Sequence, residues 1–164
     1  MPGVPAVLVN LSYRTQGFYV RKGNPKNIRS WQDLGRGDLS ILNRRVGSSA
    51  RILLDTQLKK LHIPPSQVRG YNTIKQSHLT VATAIGAGEA DLAVGTERVS
   101  RQIDTVDFVP LQKERFDLVL RKDSLDTPAV QKLLEILSSP IFHREVGEFS
   151  GNDYRDLGKM MMEV

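Results

Sequence analysis

Residues 42–55 read LNRRVGSSARILLD. An apolar run, LSILN at 39–43, leads into two adjacent arginines, four small residues at 47–50 and a third arginine. Ile52, Leu53, Leu58 and Leu61 then recur at helical spacing. The stretch predicts a buried strand, a polar turn and a helix that opens near Ser49. A helix start presents unpaired backbone N–H groups and the positive end of its macrodipole. Gly47, Ser48, Ser49 and Ala50 lack the bulk to keep a ligand from those groups, so an anion can sit there. The two hydroxyls would donate further hydrogen bonds, and Arg44, Arg45 or Arg51 would neutralise charge. The same residues also admit a plainer reading, in which Ser48 or Ser49 caps a helix beside solvated arginines.

Working outward, short β-branched runs alternate with helical patterns, which is the pattern of βαβ units and a mostly parallel sheet. AVLVN at 6–10, GFYVRK at 17–22, GYNTI at 70–74 and DLAVG at 91–95 read as strands. DFVPL at 107–111 and ERFDLVLRK at 114–122 read as two more. Ser30 can cap a short helix through Trp31 and Leu34, and Thr96 another; Leu79 to Ala87 reads as a helix rich in small residues, begun by Ser77. Helices at 130–137, begun by Thr127-Pro128, and around 142–149 complete the chain. QSHLT at 76–80 repeats the strand, polar turn and helix layout of the opening stretch. Two such mouths in one α/β sheet are expected where ligands bind, outside the carboxyl ends of parallel strands.

The bounds narrow the function classes. A chain of 164 residues suits one domain with a real core. There are no cysteines, which removes disulfide frameworks, thiolate metal sites and cysteine nucleophiles. The net charge of +5 is spread along the chain, as on a solvated basic surface, and no helix carries the exposed basic face of a nucleic-acid reader. No apolar run approaches the ~20 residues of a membrane span. The opening MPGVPAVLVNLSYRTQG lacks the basic flank and unbroken apolar region of a secretory signal. The reading is therefore a cytoplasmic protein, or an extracytoplasmic one whose leader is absent from the sequence.

Candidate chemistry is sparse. His62, His78 and His143 have no partner at metal-ligand spacing, so neither a metal site nor a cofactor is expected. VGSSA lacks the second glycine of a nucleophile elbow. Gly86 and Gly88 follow no strand directly, so they read as the end of a helix rather than a dinucleotide fingerprint. No nucleophile–base pair stands out. Tyr71 and Asn72 read as a strand end.

GNPKNIRSWQDL at 23–34, LNRRVGSSARILLD, and above all HLTVATAIGAGEADLAVGTERVS at 78–100 followed by DFVPLQKERFDLVLRK at 107–122 resemble the periplasmic-binding-protein-like (type 2) domain. The similarity runs from about Val7 to Gly158. It is greatest to the branch fused to winged-helix regulators and to molybdopterin-biosynthesis proteins, related to tungstate- and molybdate-binding proteins.

The resemblance implies an α/β fold of two lobes, each with a mostly parallel sheet, and a small ligand held in the cleft between them. Residues 23–103 would form one complete lobe. Residues 1–22 and 104–164 would form the other, truncated, because a β-α-β-α stretch that precedes AVLVNLSYRTQG in the family is missing. Exposed apolar surface around Val7 to Val9 and Phe116 to Leu120 would then drive homodimerisation through the incomplete lobe.

The family's anion-binding turn, Arg-x-Gly-Ser-Gly-Thr-Arg, falls on Arg45, Val46, Gly47, Ser48, Ser49, Ala50 and Arg51, with serine and alanine where the family has its second glycine and threonine. Ser77 and His78 match the second helix mouth. Tyr13, Arg14 and Gln16 match the polar hinge segment, and Thr96 with Glu97 the second crossing. SGNDY at 150–154 loosely echoes a closing motif, which makes Asp153 and Tyr154 secondary candidates. The implied function is non-catalytic binding of a small anion, of molybdate or tungstate type or organic, with no cofactor. The alternative is a domain of an enzyme or regulator acting in molybdopterin biosynthesis.

Overall fold

The computed structural model describes residues 3–148 and 151–163. The chain divides into two compact units, Met1–Arg14 with Lys113–Val164, and Thr15–Gln112. Two strands of 16 residues, β1 (Ala6–Arg21) and β5 (Val106–Arg121), contribute residues to both. Each replaces a pair of shorter strands expected from sequence. The polar residues between the apolar runs stay extended, because polarity alone does not end a strand. Gly17 does not end β1 either. A Cβ there would stand 2.1 Å from the Val109 carbonyl oxygen, so the glycine admits a close backbone approach.

In the unit Thr15–Gln112, β2 (Ile41–Arg44), α1 (Ser49–Lys60), β3 (Ile74–Lys75), α2 (His78–Gly86), β4 (Leu92–Thr96) and α3 (Glu97–Ser100) follow one another between the two long strands. The strand order is β3-β2-β4-β1-β5. β2 runs parallel to both β3 and β4, and β1 is antiparallel to β4, with Gln16 opposite Thr96. The strand expected at 70–74 shrinks to Ile74–Lys75 because Tyr71 and Thr73 donate their backbone N–H groups to Val68 and Gly70 in turns. Gly70 has φ +85°, and a Cβ on it would lie 2.2 Å from the Ile41 carbonyl oxygen. Only glycine meets both demands.

Period-two alternation assigns each helix a face. Phe18, Val20, Ile41, Leu92 and Val94 pack with Ala50, Leu54 and Leu58 of α1. Tyr19, Leu42 and Ala93 pack on the other side with Val81, Ala82 and Ile85 of α2. The strands are apolar on both faces because a helix covers each. Trp31, in a 3-10 turn at Trp31–Gly35, meets Phe18 edge-on at 4.9 Å. Fully burying one such aromatic or leucine side chain contributes about 1.5–3 kcal/mol.

In the other unit the first half of β1 pairs antiparallel with β6 (Asn152–Asp153) and β7 (Met160–Glu163). A mostly parallel sheet is expected there, but these partners come from the far end of the chain and run back along β1. α4 (Pro128–Leu137) and α5 (Pro140–Gly147) build the core, in which Val7, Val9, Leu137 and Leu157 are buried. Val7 and Val9, expected to await a second chain, are therefore covered within their own unit. Phe116 and Val119 remain 44% and 63% exposed. The expected helix end at Phe149 and the Ser150 of SGNDY lie outside the described residues. Among the described residues, no helix is long and apolar enough to cross a membrane.

α1 and α2 end in the same way. After α2, Gly88 has φ +82°, its N–H donates to Ile85, and that of Glu89 donates to Ala84, a Schellman ending in which Gly88, rather than Gly86, is the left-handed residue. After α1 the same two bonds run from His62 to Lys59 and from Ile63 to Leu58, but the left-handed residue is an exposed histidine with φ 56°. A side chain in that region costs about 1–2 kcal/mol, partly offset by the lower chain entropy of a non-glycine residue when unfolded. His62→Gly is expected to raise unfolding stability by roughly 0.5–1 kcal/mol in urea titrations; a lower midpoint would mean that the imidazole makes a stabilising contact outweighing the backbone strain.

Candidate functional site

Chain topology selects one edge of the Thr15–Gln112 sheet. From β2 the chain passes through α1 to β3 on one side, and from β4 it passes through α3 toward β5 on the other. β2 and β4 are neighbours whose connections diverge, the arrangement at whose carboxyl ends open α/β sheets bind ligands. Arg44 ends β2 and pairs in register with Lys75 of β3; Thr96 ends β4 and pairs with Gln16 of β1. Lys75, Arg44, Thr96 and Gln16 thus line one edge.

The mouth of α1 opens beside Arg44. Gly47 has φ +86° with open space where a Cβ would be. Ser48 is the N-cap, and its hydroxyl oxygen accepts from the Arg51 N–H at 3.3 Å. As an acceptor, that hydroxyl keeps its own proton to donate. Arg45 and Ser49 are exposed. Ala50 is buried in the core and offers the site only its N–H.

Arg51 behaves differently from the expected counter-charge. Its Nε donates to both Asp55 oxygens at 3.0 Å, and its guanidinium lies 4.1 Å from the Tyr71 ring centroid. The Tyr71 hydroxyl in turn donates to Asp55 at 2.7 Å. The three side chains brace α1 against the turn at residue 71, so Arg51 holds the helix that carries Ser48.

At α2, Ser77 accepts from the Thr80 N–H and Thr80 Oγ1 accepts from the Ser77 N–H, both at 3.0 Å, which is a closed capping box. His78 is half-buried at the first helical position. Thr96 makes no side-chain capping bond. Its backbone is held instead: its N–H donates to Tyr19 Oη at 2.9 Å, and the Tyr19 hydroxyl donates to the Thr96 carbonyl at 3.0 Å. Gly95 makes this possible, since a Cβ there would stand 2.0 Å from the Tyr19 ring. Gln16 is fully buried.

Tyr13 and Arg14 belong to the other unit and are engaged within it. The Tyr13 hydroxyl donates to Asp156 at 2.7 Å, a bond that raises the phenol pKa. Arg14 donates to Glu114 and lies over the Phe116 ring. Asp153 pairs with Arg155, and Tyr154 accepts from Asn152.

Arg44 is the residue that sequence reasoning did not separate from its neighbours. Alternation sets it on the face of Leu42 and Tyr19, while Arg45 turns out to solvent. Its Nε and Nη1 are buried and have no hydrogen-bond partner among the described residues. Burial, and then the adjacent Arg45 cation, lower its pKa; the nearby Tyr19 phenol opposes them. The available signal was parity: counted from Leu42, the first of the two arginines must point inward. Among the described residues there is no group of three or more His, Cys, Asp or Glu able to hold a metal ion.

Comparison with known proteins agrees with this fold. A family model for the PBP superfamily domain matches residues 1–138. The Bacillus subtilis (strain 168) protein YvgK, described as uncharacterized, is 37% identical over 164 residues, all of this chain and 52% of that protein. The chain thus spans about half the length of that relative. The thiosulfate-binding protein of Escherichia coli (strain K12) is 51% identical over 41 residues, 24% of this chain and 12% of that one. Among solved structures, the arginine-, lysine-, histidine-binding protein ArtJ from Geobacillus stearothermophilus superposes with a TM-score of 0.64 at 12% identity, covering 93% of this chain and 65% of ArtJ.

Burial raises the Tyr19 pKa to about 12, against the opposing hydrogen bonds from Thr96. The folded state favours the neutral phenol. The resulting stability, on the order of 2–3 kcal/mol, is fully present below pH 10 and is lost as pH rises through 12. A difference titration of wild type against Tyr19→Phe, followed by phenolate absorbance, should centre near pH 12. A centre near 10 would mean that the phenol is open to solvent and the clamp on Thr96 is not formed.

Proposed function

The chain belongs to the PBP superfamily, and on that premise we propose that it binds a small anion at the carboxyl edge of the Thr15–Gln112 sheet. The observation that carries this reading is the serine-capped mouth of α1 with its small residues at the carboxyl end of β2, which closes on Arg44, whose Nε and Nη1 have no hydrogen-bond partner among the described residues. Helix N-termini favour negative charge, and the small residues Gly47 to Ala50 leave the N–H groups of α1 approachable. In this reading Ser48, Ser49 and the N–H groups near 49–50 contact the anion, Arg45 adds charge from the solvent side, and Ser77, His78, Thr96 and Gln16 border the same edge. Arg51 acts through its brace on α1. Tyr13 and Arg14 enter through the family resemblance alone; both are engaged within the other unit.

An oxyanion, of the molybdate, tungstate or thiosulfate kind, is the favoured ligand. The similarity to a thiosulfate-binding protein and the family resemblance both support it, and the absence of a nucleophile–base pair in the sequence argues for binding rather than turnover. Binding is coupled to a change of conformation to the extent that the anion's contacts differ between two states. The exposed Phe116 and Val119 would be covered in a homodimer. A role within molybdopterin biosynthesis, as part of an enzyme or regulator, is the second reading; it rests on the branch resemblance only.

Calorimetric titration against molybdate, tungstate, sulfate, thiosulfate and small carboxylates tests the site. Ser48→Ala removes a donor to a charged acceptor and should weaken binding by about 1.5–3 kcal/mol, or roughly tenfold to a hundredfold. Arg45→Glu should weaken it further and reduce its salt sensitivity. If Ser48→Ala lowers stability by about 1 kcal/mol, as a lost cap, yet binds every ligand as the wild type does, then the turn is only a cap.

A further inference from the structure

The turns at the amino end of β4 enclose a feature that the site at α1 does not use. Arg21 ends β1, a turn follows through Asn24 to Ile28, and Gly88 to Asp91 lead from α2 into β4. Together they line a cleft of about 290 Å³, open to solvent. Val20 of β1 pairs with Leu92, the first residue of β4, and Gln16 with Thr96, the last. The cleft therefore lies at the opposite end of β4 from Thr96 and the mouth of α1. Its size is at the lower limit of small-molecule pockets, roughly 300–1,000 Å³, so it suits only a small ligand.

The lining residues differ sharply in chemistry. Val20 and Ile28 are buried and supply apolar surface. Arg21 supplies a cation: a Cβ at Gly88 would stand 3.6 Å from its Nη1, so the guanidinium lies along the turn that ends α2. Lys26 adds positive charge. Its ammonium is 3.6 Å from Asp38, both of whose oxygens are already taken by Arg36 at 3.1 and 3.0 Å. Asp91 supplies the opposite charge. Its Oδ2 accepts from the Ser40 N–H at 2.8 Å and the Ser40 hydroxyl at 2.9 Å, which fixes the carboxylate and leaves Oδ1 unengaged among the described residues. Arg21 forms no ion pair with Asp91 or with any other described residue.

The turn itself is braced. Asn24 Oδ1 accepts from the Ile28 N–H at 3.0 Å and its Nδ2 donates to the Ile28 carbonyl at 2.8 Å. Asn24 and Asn27 are left-handed, with φ 44° and 53°, a conformation that asparagine tolerates and that recurs at ligand clamps. A simple anion in the cleft would meet repulsion from Asp91, and a simple cation repulsion from Arg21 and Lys26. Opposite charges that line one small cleft without meeting are complementary to a ligand that carries both.

We infer that this cleft is a second binding site, for a small zwitterion of the α-amino-acid type. Arg21 and Lys26 take its carboxylate, Asp91 Oδ1 takes its ammonium group, and Val20 and Ile28 receive its apolar part. The site is independent of the anion reading at α1.

The test follows the backbone amide resonances of the isotope-labelled chain during titration with alanine, and with propionate and ethylammonium, which each carry one of its two charges. Alanine should move the resonances of Asn24, Gly88 and Asp91 saturably, with each half-ligand roughly tenfold or more weaker. Arg21→Gln, at an exposed position, should weaken alanine roughly tenfold. Asp91→Asn should weaken alanine while leaving propionate no weaker than in wild type. Ser48→Ala, at the other end of the sheet, should change none of these. Propionate binding as tightly as alanine would overturn the ligand class. Resonance shifts that collect at Ser48 and Ser49 instead would overturn the location. No saturable shift with alanine in wild type, together with a lower melting temperature in Arg21→Gln, would mean that the guanidinium only favours the carboxyl end of α2, and the inference fails while the site at α1 stands.

Discussion

The Tyr19 hydroxyl bridges the backbone N–H and carbonyl of Thr96, across a position that only glycine can occupy. Those two bonds fix the carboxyl end of β4 against β1 at the point where the chain leaves the sheet. They also bury a phenol beside that end, on the face shared with Leu42, so that the next inward residue of β2 is Arg44. The register of this edge follows from one aromatic ring lying over one glycine. A side chain at 95 would displace the ring and, with it, the alignment of Thr96 and Gln16.

From that edge outward, each element does a separate job. α1 brings its capped N-terminus to the end of β2, and the Arg51–Asp55–Tyr71 brace holds it there. The Schellman endings of α1 and α2 let both helices stop cleanly before the turns that lead to β3 and β4. The small residues around Gly47 have no packing duty, apart from Ala50, which belongs to the core. The charges around this edge are largely paired with one another, Arg51 with Asp55 and Lys75 with Glu89.

Much of this was legible in the sequence, because the signals were local. The apolar periodicity of residues 52–61, the serines ahead of both helices and the β-branched runs at 41–44 and 92–96 each state their own structure. What the sequence does not show depends on partners distant in the chain. The two long strands were divided because nothing local says that Gly17 faces a carbonyl of β5 rather than a bend. The pairing of Arg51 with Asp55 looks in the sequence like any surface i,i+4 pair, and nothing local says that Tyr71 folds over it. Arg44 and Arg45 are chemically identical in the sequence; they differ only by the parity of the strand, and that parity has meaning only once both faces are known to be covered.

The central claim is that an anion binds at the carboxyl end of β2, at the mouth of α1. The most direct measurement is anomalous diffraction from crystals equilibrated with molybdate or selenate, whose heavy atom marks the anion unambiguously. The account predicts a single strong peak with ligand oxygens within ~3 Å of the Ser48 hydroxyl and the N–H groups near 49–50. A peak elsewhere on the chain would contradict it.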